Sequence, residues 1–175
     1  MNNDNTPQWL VAYTASRCEK KVRERLQAKG ITCYLPIQTV LRQWKYRKKR
    51  IEVPVISGTI FVHVAKEQQL QVLQTQGVVT FLKLKGENHP AVVPDRQMEA
   101  FIFLLDFSDE AVEIVNENLA LGDLVTVVKG PLKGLEGELC SFNGENKIIV
   151  RIESLGCAMV NIPSAYVESL TIHTP

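Results

Sequence analysis

The sequence predicts an α+β chain built from two unlike parts, and three observations carry that reading. Over residues 7–106, short β-type runs alternate with stretches whose apolar residues recur at helical spacing. Beyond residue 120 the pattern is of short apolar or alternating strands separated by turn residues. The charge also changes sign between the parts. Met1 to Asp106 holds 16 Lys plus Arg against 9 Asp plus Glu, whereas Phe107 to Pro175 holds 4 against 10. A basic first part suits nucleic acid; an acidic second part suits a protein partner, or is held off a polyanion.

Taken in order, the first part opens with a β-run at Trp9 to Tyr13. Ser16 and Glu19 then fit the S-x-x-E capping box, in which each residue satisfies a backbone N–H left free at a helix start. The helix runs to Lys29, with Cys18, Val22 and Leu26 as its buried stripe and Gly30 as its left-handed terminator. A β-run follows from Thr32 to Leu41. After a basic segment another spans Val53 to Val64, with Gly58 at a bend or bulge. Gln69 to Gln76 reads as a short helix closed by Gly77, and Val78 to Leu84 as a strand. Asp95 can cap a third helix whose apolar face is Met98, Phe101, Ile102 and Leu105. The order β-α-β-β-α-β-α is close to a ferredoxin-like split βαβ sheet.

Asp106 to Leu119 holds five acids and no base and has a weak pattern, so it reads as a linker. Candidate strands follow at Leu124 to Val128, Glu138 to Phe142, Lys147 to Ile152, Cys157 to Ile162 and Val167 to Leu170. Five such strands suit a small closed barrel. The expected divisions are therefore 7–106, a linker at 107–120, and 121–175. A length of 175 residues with 45% hydrophobic content supports packed cores in two small domains. No apolar run approaches the roughly 18 residues needed to span a bilayer, and Met1 to Gln8 is polar, so a cytoplasmic location is expected. Cys18, Cys33, Cys140 and Cys157 lack CxxC spacing and lie in apolar surroundings, which predicts buried reduced thiols and no metal or other cofactor.

The segment GDLVTVVKGPLKGLEG, Gly122 to Gly137, sets an alternating strand before a lysine-bearing, glycine-punctuated turn and resembles the KOW motif. Other segments extend the likeness over Trp9 to Leu170. WLVAYTASRCEKKVRERL resembles the opening strand and helix of the NusG family, YLP at Tyr34 to Pro36 its second-strand motif, and PVISGTIFV at Pro54 to Val62 its PLFPGYVFV core. GVVTFLKLKGENHPAVVPDRQMEAF is similar to its run into the last helix of the N-terminal, or NGN, domain. QWKYRKKRIEVPV and the P-A-x-x-P-D stretch at Pro90 to Asp95 look most like the specialised RfaH and UpxY antiterminators, the latter serving capsular-polysaccharide operons.

That resemblance implies an NGN domain joined to a KOW barrel, in a monomeric transcription elongation factor without catalytic chemistry. It implies binding to bacterial RNA polymerase through an apolar patch matched here by Trp9, Tyr13, Ile56, Gly58, Thr59 and Phe61. Ser57 and Thr59 stand where the family commonly has proline and tyrosine. A factor that binds the elongating conformation more tightly than the paused one shifts the equilibrium by the difference in affinity. Arg17, Lys20, Lys21 and Arg23 match the helix start that faces non-template DNA in the specialised members; a solvated helix face is the other reading. For the KOW half the resemblance implies Rho or ribosomal protein NusE as partner, with Phe142, Ile148, Ile149 and Ile162 as candidates; barrel core is the other reading of these. Leu155, Gly156 and Cys157 stand where general NusG has a phenylalanine-glycine loop.

The residues themselves add one further site. Arg42 to Arg50, RQWKYRKKR, sets six bases around Trp44 and Tyr46, so Arg42, Trp44, Lys45, Tyr46, Arg47 and Lys48 could combine phosphate attraction with base stacking on a projecting hairpin. A merely solvated hairpin is the alternative. An RNA-binding or ribosome-associated KOW protein is the rival function, and the acidic second half argues against it. His63, His89 and His173 are scattered, and GPLKGLEG lacks the GK-Ser/Thr of a P-loop, so no enzyme site is expected.

Overall fold

The structure, a computed structural model, describes residues 5–116, 119 and 121–170. Parts of the expected polar start, linker and C-terminal end therefore lie outside the described residues. The chain forms two compact units, one of residues 1–39 and 50–95, the other of residues 40–49 and 96–175.

In the first unit, strand β1 (Gln8–Thr14) leads through helix α1 (Glu19–Ala28) to β2 (Thr32–Tyr34). Alternation along β1 puts Leu10 and Ala12 on one face, where both are buried with Val22 and Leu26 of α1. Burying an aliphatic side chain of this size stabilises by about 1.5–3 kcal/mol, so this contact, more than helix propensity, holds α1 to the sheet. The helix starts later than expected. Cys18 is its N-cap with no side-chain cap, so Ser16 and Glu19 do not form the expected capping box.

The two expected long β-runs are each broken. Pro36, with no N–H to donate to a ladder, separates β2 from β3 (Ile37–Trp44). Bends around Gly58 separate β4 (Arg47–Pro54) from β5 (Thr59–Val64). Strands β3 and β4 pair with each other as a separate two-stranded ribbon, so the basic segment is itself strand and turn. After β5 come α2 (Gln69–Leu73), β6 (Val78–Phe81) and the short β7 (Val92–Val93), which sequence periodicity did not reveal. The sheet order is β2-β5-β1-β6, with β7 also on β1. Strand β5 lies antiparallel between β1 and β2, with Tyr13 opposite Thr59 and Tyr34 opposite Phe61.

Helix α3 (Asp95–Phe107) buries Met98, Phe101 and Leu104; Ile102 and Leu105, expected in the stripe, are half-buried. After α3 the chain forms β8 (Glu113–Val115), β9 (Asp123–Val127), β10 (Glu136–Phe142), β11 (Glu145–Ile152), β12 (Gly156–Asn161) and β13 (Val167–Ser169). They form one antiparallel sheet in the order β13-β9-β10-β11-β12-β8. Two expectations are corrected. The supposed linker supplies a sixth strand, because Val115 and the nearby Leu119 find apolar partners against Ile149, Cys157 and Met159. The sheet is also not closed into a barrel: β13 and β8 are its two ends among the described residues.

Candidate functional site

On β1 the alternation that buries Leu10 and Ala12 turns Trp9, Val11 and Tyr13 to the opposite face, across from His63, Phe61 and Thr59 of β5. The Trp9 ring stacks on His63 with centroids 4.9 Å apart. Tyr13 is 37% exposed, whereas Phe61 and Thr59 are 0% and 1% exposed. Trp9, Ile56 and Gly58 are half-buried. The accessible apolar ground is thus Trp9, Tyr13 and Ile56. Phe61 and Thr59, matched to the same patch by resemblance, offer no surface in this conformation and form part of the packing under it.

The loop that carries Ile56 is fixed at both ends. Val55 N–H donates to Pro36 O at 2.8 Å, and Thr14 N–H donates to Gly58 O at 2.9 Å. Gly58 N–H donates to Glu19 Oε1 at 2.8 Å. Gly58 has φ +67°, which glycine adopts without the Cβ penalty that other residues incur. Sequence reading placed Glu19 in a capping box and so missed its tertiary role; an acid in the first turn was the available signal, pointing to the wrong N–H.

Arg17, Lys20 and Lys21 are exposed and Arg23 is half-buried. Arg17 stands at φ +59°, just ahead of the α1 cap. Lys20 Nζ lies 3.1 Å from Glu52 Oε2, both side chains well exposed, so the pair contributes little and leaves the ammonium able to exchange partners. On the ribbon, Arg42, Trp44, Lys45, Tyr46, Arg47 and Lys48 are all exposed, with Lys45 and Tyr46 forming the turn. Trp44 is 59% and Tyr46 89% exposed, and Lys45 Nζ sits 5.9 Å from the Tyr46 ring centroid. Two open aromatic faces among six cations make a surface that can stack bases and neutralise phosphates.

In the second unit the expected partner-binding residues divide. Ile148, Ile149 and Ile162 are 0%, 1% and 6% exposed and belong to the packed interior, while Phe142 is half-buried with Lys147 Nζ 5.7 Å from its ring centroid. Two ion pairs here escaped sequence reading. Lys147 Nζ meets Glu113 Oε2 at 2.8 Å, and Arg151 Nε meets Glu138 Oε1 at 2.5 Å. The Arg151 hydrogen bond holds the Glu138 carboxyl below its ordinary pKa against the opposing effect of burial, with help from Gly122 N–H. Burial pushes the Cys33, Cys140 and Cys157 thiols up, so all three favour the unreactive protonated form. All four cysteines are reduced; Cys157 is buried and the others half-buried. Among the described residues no group of three or more His, Cys, Asp or Glu could hold a metal ion. No helix among them is long and apolar enough to cross a membrane.

Comparison with known proteins bears on the family and the fold of the chain. The family model described as "Transcription termination factor nusG" matches residues 7–102. The chain is 26% identical over 163 residues to the transcription termination/antitermination protein NusG of Streptococcus pyogenes serotype M1, covering 87% of this chain and 89% of the relative. The serotype M3 protein gives the same figures. Among solved structures, Thermotoga maritima NusG is similar in fold, with a TM-score of 0.52 at 22% identity, over 94% of this chain and 98% of the other. Since the family match spans more than half of its length, the chain belongs to the NusG family of transcription termination and antitermination factors.

Proposed function

We propose that this protein is an elongation and antitermination factor of the specialised RfaH/UpxY type, acting on particular operons by binding RNA polymerase without chemistry of its own. The observation that carries the polymerase reading is the accessible apolar ground at Trp9, Tyr13 and Ile56, braced by buried Phe61 and Thr59. An aromatic anchor beside aliphatic surface is the composition that dominates interface energy. In this reading residues 7–106 form a ferredoxin-like NGN module and 121–175 form the KOW module, and the acidic connection at 107–120 adds β8 to the KOW sheet. The strand order β2-β5-β1-β6 supports the first assignment, and the five strands β9 to β13 support the last.

Basic side chains of α1 and of the β3–β4 ribbon then face nucleic acid, with non-template DNA as the target. The aromatic pair Trp44 and Tyr46 favours unpaired bases over duplex. The KOW module takes Rho or NusE through Phe142 and neighbouring exposed ground. The protein works in the cytoplasm as a monomer.

The test is a run-off transcription assay with purified bacterial polymerase, with co-purification as the binding arm. Tyr13→Ala with Ile56→Ser should weaken co-purification and abolish any change in pausing or read-through. Unaltered pausing on every template, together with no co-purification, would remove the proposal. RNA binding that persists without polymerase association would instead support the ribosome-associated alternative.

A further inference from the structure

We infer that Glu19 is a positioning residue: its carboxylate holds the Ile56–Gly58 loop in the shape presented to polymerase. This inference rests on the polymerase reading above. The side chain of Glu19 leaves the first turn of α1 and is nearly enclosed, with the residue 7% exposed. Its Oε1 accepts the Gly58 N–H at 2.8 Å, a bond between residues far apart in sequence. The Gly58 carbonyl accepts from Thr14 N–H at 2.9 Å, so both backbone groups of Gly58 are engaged. At the other end of the loop Val55 N–H is anchored on Pro36 O at 2.8 Å.

Ile56 and Ser57 are therefore strung between two fixed points. One of the two bonds at the Gly58 end is charge-assisted and half-buried, the stronger class of hydrogen bond. At φ +67° Gly58 lies in the left-handed region, and glycine has wide conformational freedom, so without its carboxylate partner the loop would sample more shapes. A surface that must be ordered before it binds loses affinity by the fraction of time it is misshapen. The same carboxylate belongs to the helix that carries Lys20 and Lys21, so loop and basic helix share one rigid base.

Three full-length variants separate reach, charge and volume. Glu19→Gln keeps an oxygen at the same reach, Glu19→Asp keeps the charge but is one methylene too short, and Glu19→Met keeps volume without an oxygen. Amide hydrogen exchange at Gly58, thermal melting and affinity for core polymerase are measured for each. Glu19→Asp and Glu19→Met should raise Gly58 exchange by about tenfold or more, leave the Val22 and Leu26 amides near their original rates, and weaken polymerase binding by roughly tenfold. Glu19→Gln should stay within about threefold of the original protein in both readouts. Unchanged Gly58 exchange in the Asp and Met variants overturns the inference, as does raised exchange with unaltered polymerase affinity. If Met fails to fold, the Asp and Gln pair decides alone. Failure of the unmodified protein to bind polymerase would overturn the functional reading, and the exchange data would still show whether Glu19 holds the loop.

Discussion

Arg151 grips Glu138 through two parallel hydrogen bonds, Nε to Oε1 at 2.5 Å and Nη2 to Oε2 at 2.9 Å. The same guanidinium donates to Leu119 O at 3.2 Å, and Glu138 Oε2 accepts Gly122 N–H at 2.9 Å. One pair thus ties β10 and β11 to the chain that leads into β9. Because Arg151 holds the Glu138 pKa down in the folded state, the stabilisation is complete above the unfolded glutamate value, about 4.3, and is lost as pH falls through the folded value. Glu138→Gln should cost about 2 kcal/mol at pH 7 and flatten the acid limb of the stability profile. Urea unfolding from pH 7 down to pH 3 checks both, and an unchanged acid limb would refute the assignment.

Lys147 and Glu113 make an asymmetric pair. The lysine side chain is 7% exposed and the glutamate 57%, so the carboxylate stays partly hydrated while the ammonium depends on it. Glu113→Gln should destabilise by about 1 kcal/mol, less than the loss of a fully buried partner, because water reaches the site. Lys147→Met removes the buried charge and should be close to neutral, since it can pack beside Phe142. A double-mutant cycle followed by chemical denaturation gives the coupling energy, expected at about 1 kcal/mol. Zero coupling would mean that β8 is held by its backbone pairing with β12 and by apolar contacts, without help from the ion pair.

The aromatic residues of the ribbon should matter to binding and not to folding. Trp44 and Tyr46 are 59% and 89% exposed, so each alanine substitution should leave the melting temperature nearly unchanged. If bases stack on them, each change weakens single-stranded DNA binding by about 1–3 kcal/mol. Lys45→Gln with Lys48→Gln should instead lower the slope of log affinity against log salt by about 0.7 per lost phosphate contact. Fluorescence anisotropy with a labelled oligonucleotide over a salt series separates the two effects. Equal binding by the original chain and the aromatic variants would remove base stacking, and an unchanged salt slope in the lysine variant as well would assign the ribbon to solvent.

The apolar run from Trp9 to Tyr13 made β1 legible as a strand but not which residues face α1, and four-residue spacing made the buried Val22 and Leu26 of α1 legible. Single positions deceived where two physical demands use the same residue type. Glu19 satisfies the pattern for a local cap, yet its carboxylate is taken by a backbone N–H brought near only when β5 folds beside β1. Val115 and Leu119 sit among acids and carry no periodic signal, and their burial depends on β12 offering a free edge and an apolar face. Phe61, Ile148 and Ile162 show the limit of a resemblance between sequences: it matches positions but does not say whether a side chain points out or in. Lys147 and Arg151 did leave a trace. They flank the apolar run Ile148 to Val150 on the same strand face as buried Ile149, a placement that calls for carboxylate partners.

Gly137 and Gly134 lie close together in the motif, and they should respond to alanine for different reasons. Gly134 has φ +94° with open space around a would-be Cβ, so Gly134→Ala meets only backbone strain, about 1–2 kcal/mol. Gly137 is not in the left-handed region. A Cβ there would lie 2.7 Å from Ile149 O and 2.9 Å from Ile148 Cγ1, so one contact is backbone and cannot rotate away. Since Ile149 lies on β11 directly opposite Glu138 of β10, those two strands would have to separate. Gly137→Ala should cost about 3 kcal/mol and broaden the amide signals of β10 and β11, whereas Gly134→Ala should leave them sharp. Equilibrium unfolding with proton–nitrogen correlation spectra on both variants tests the contrast. Equal costs would show that the β10–β11 pair can yield by the needed few tenths of an ångström, and that close approach is not why glycine stands at position 137.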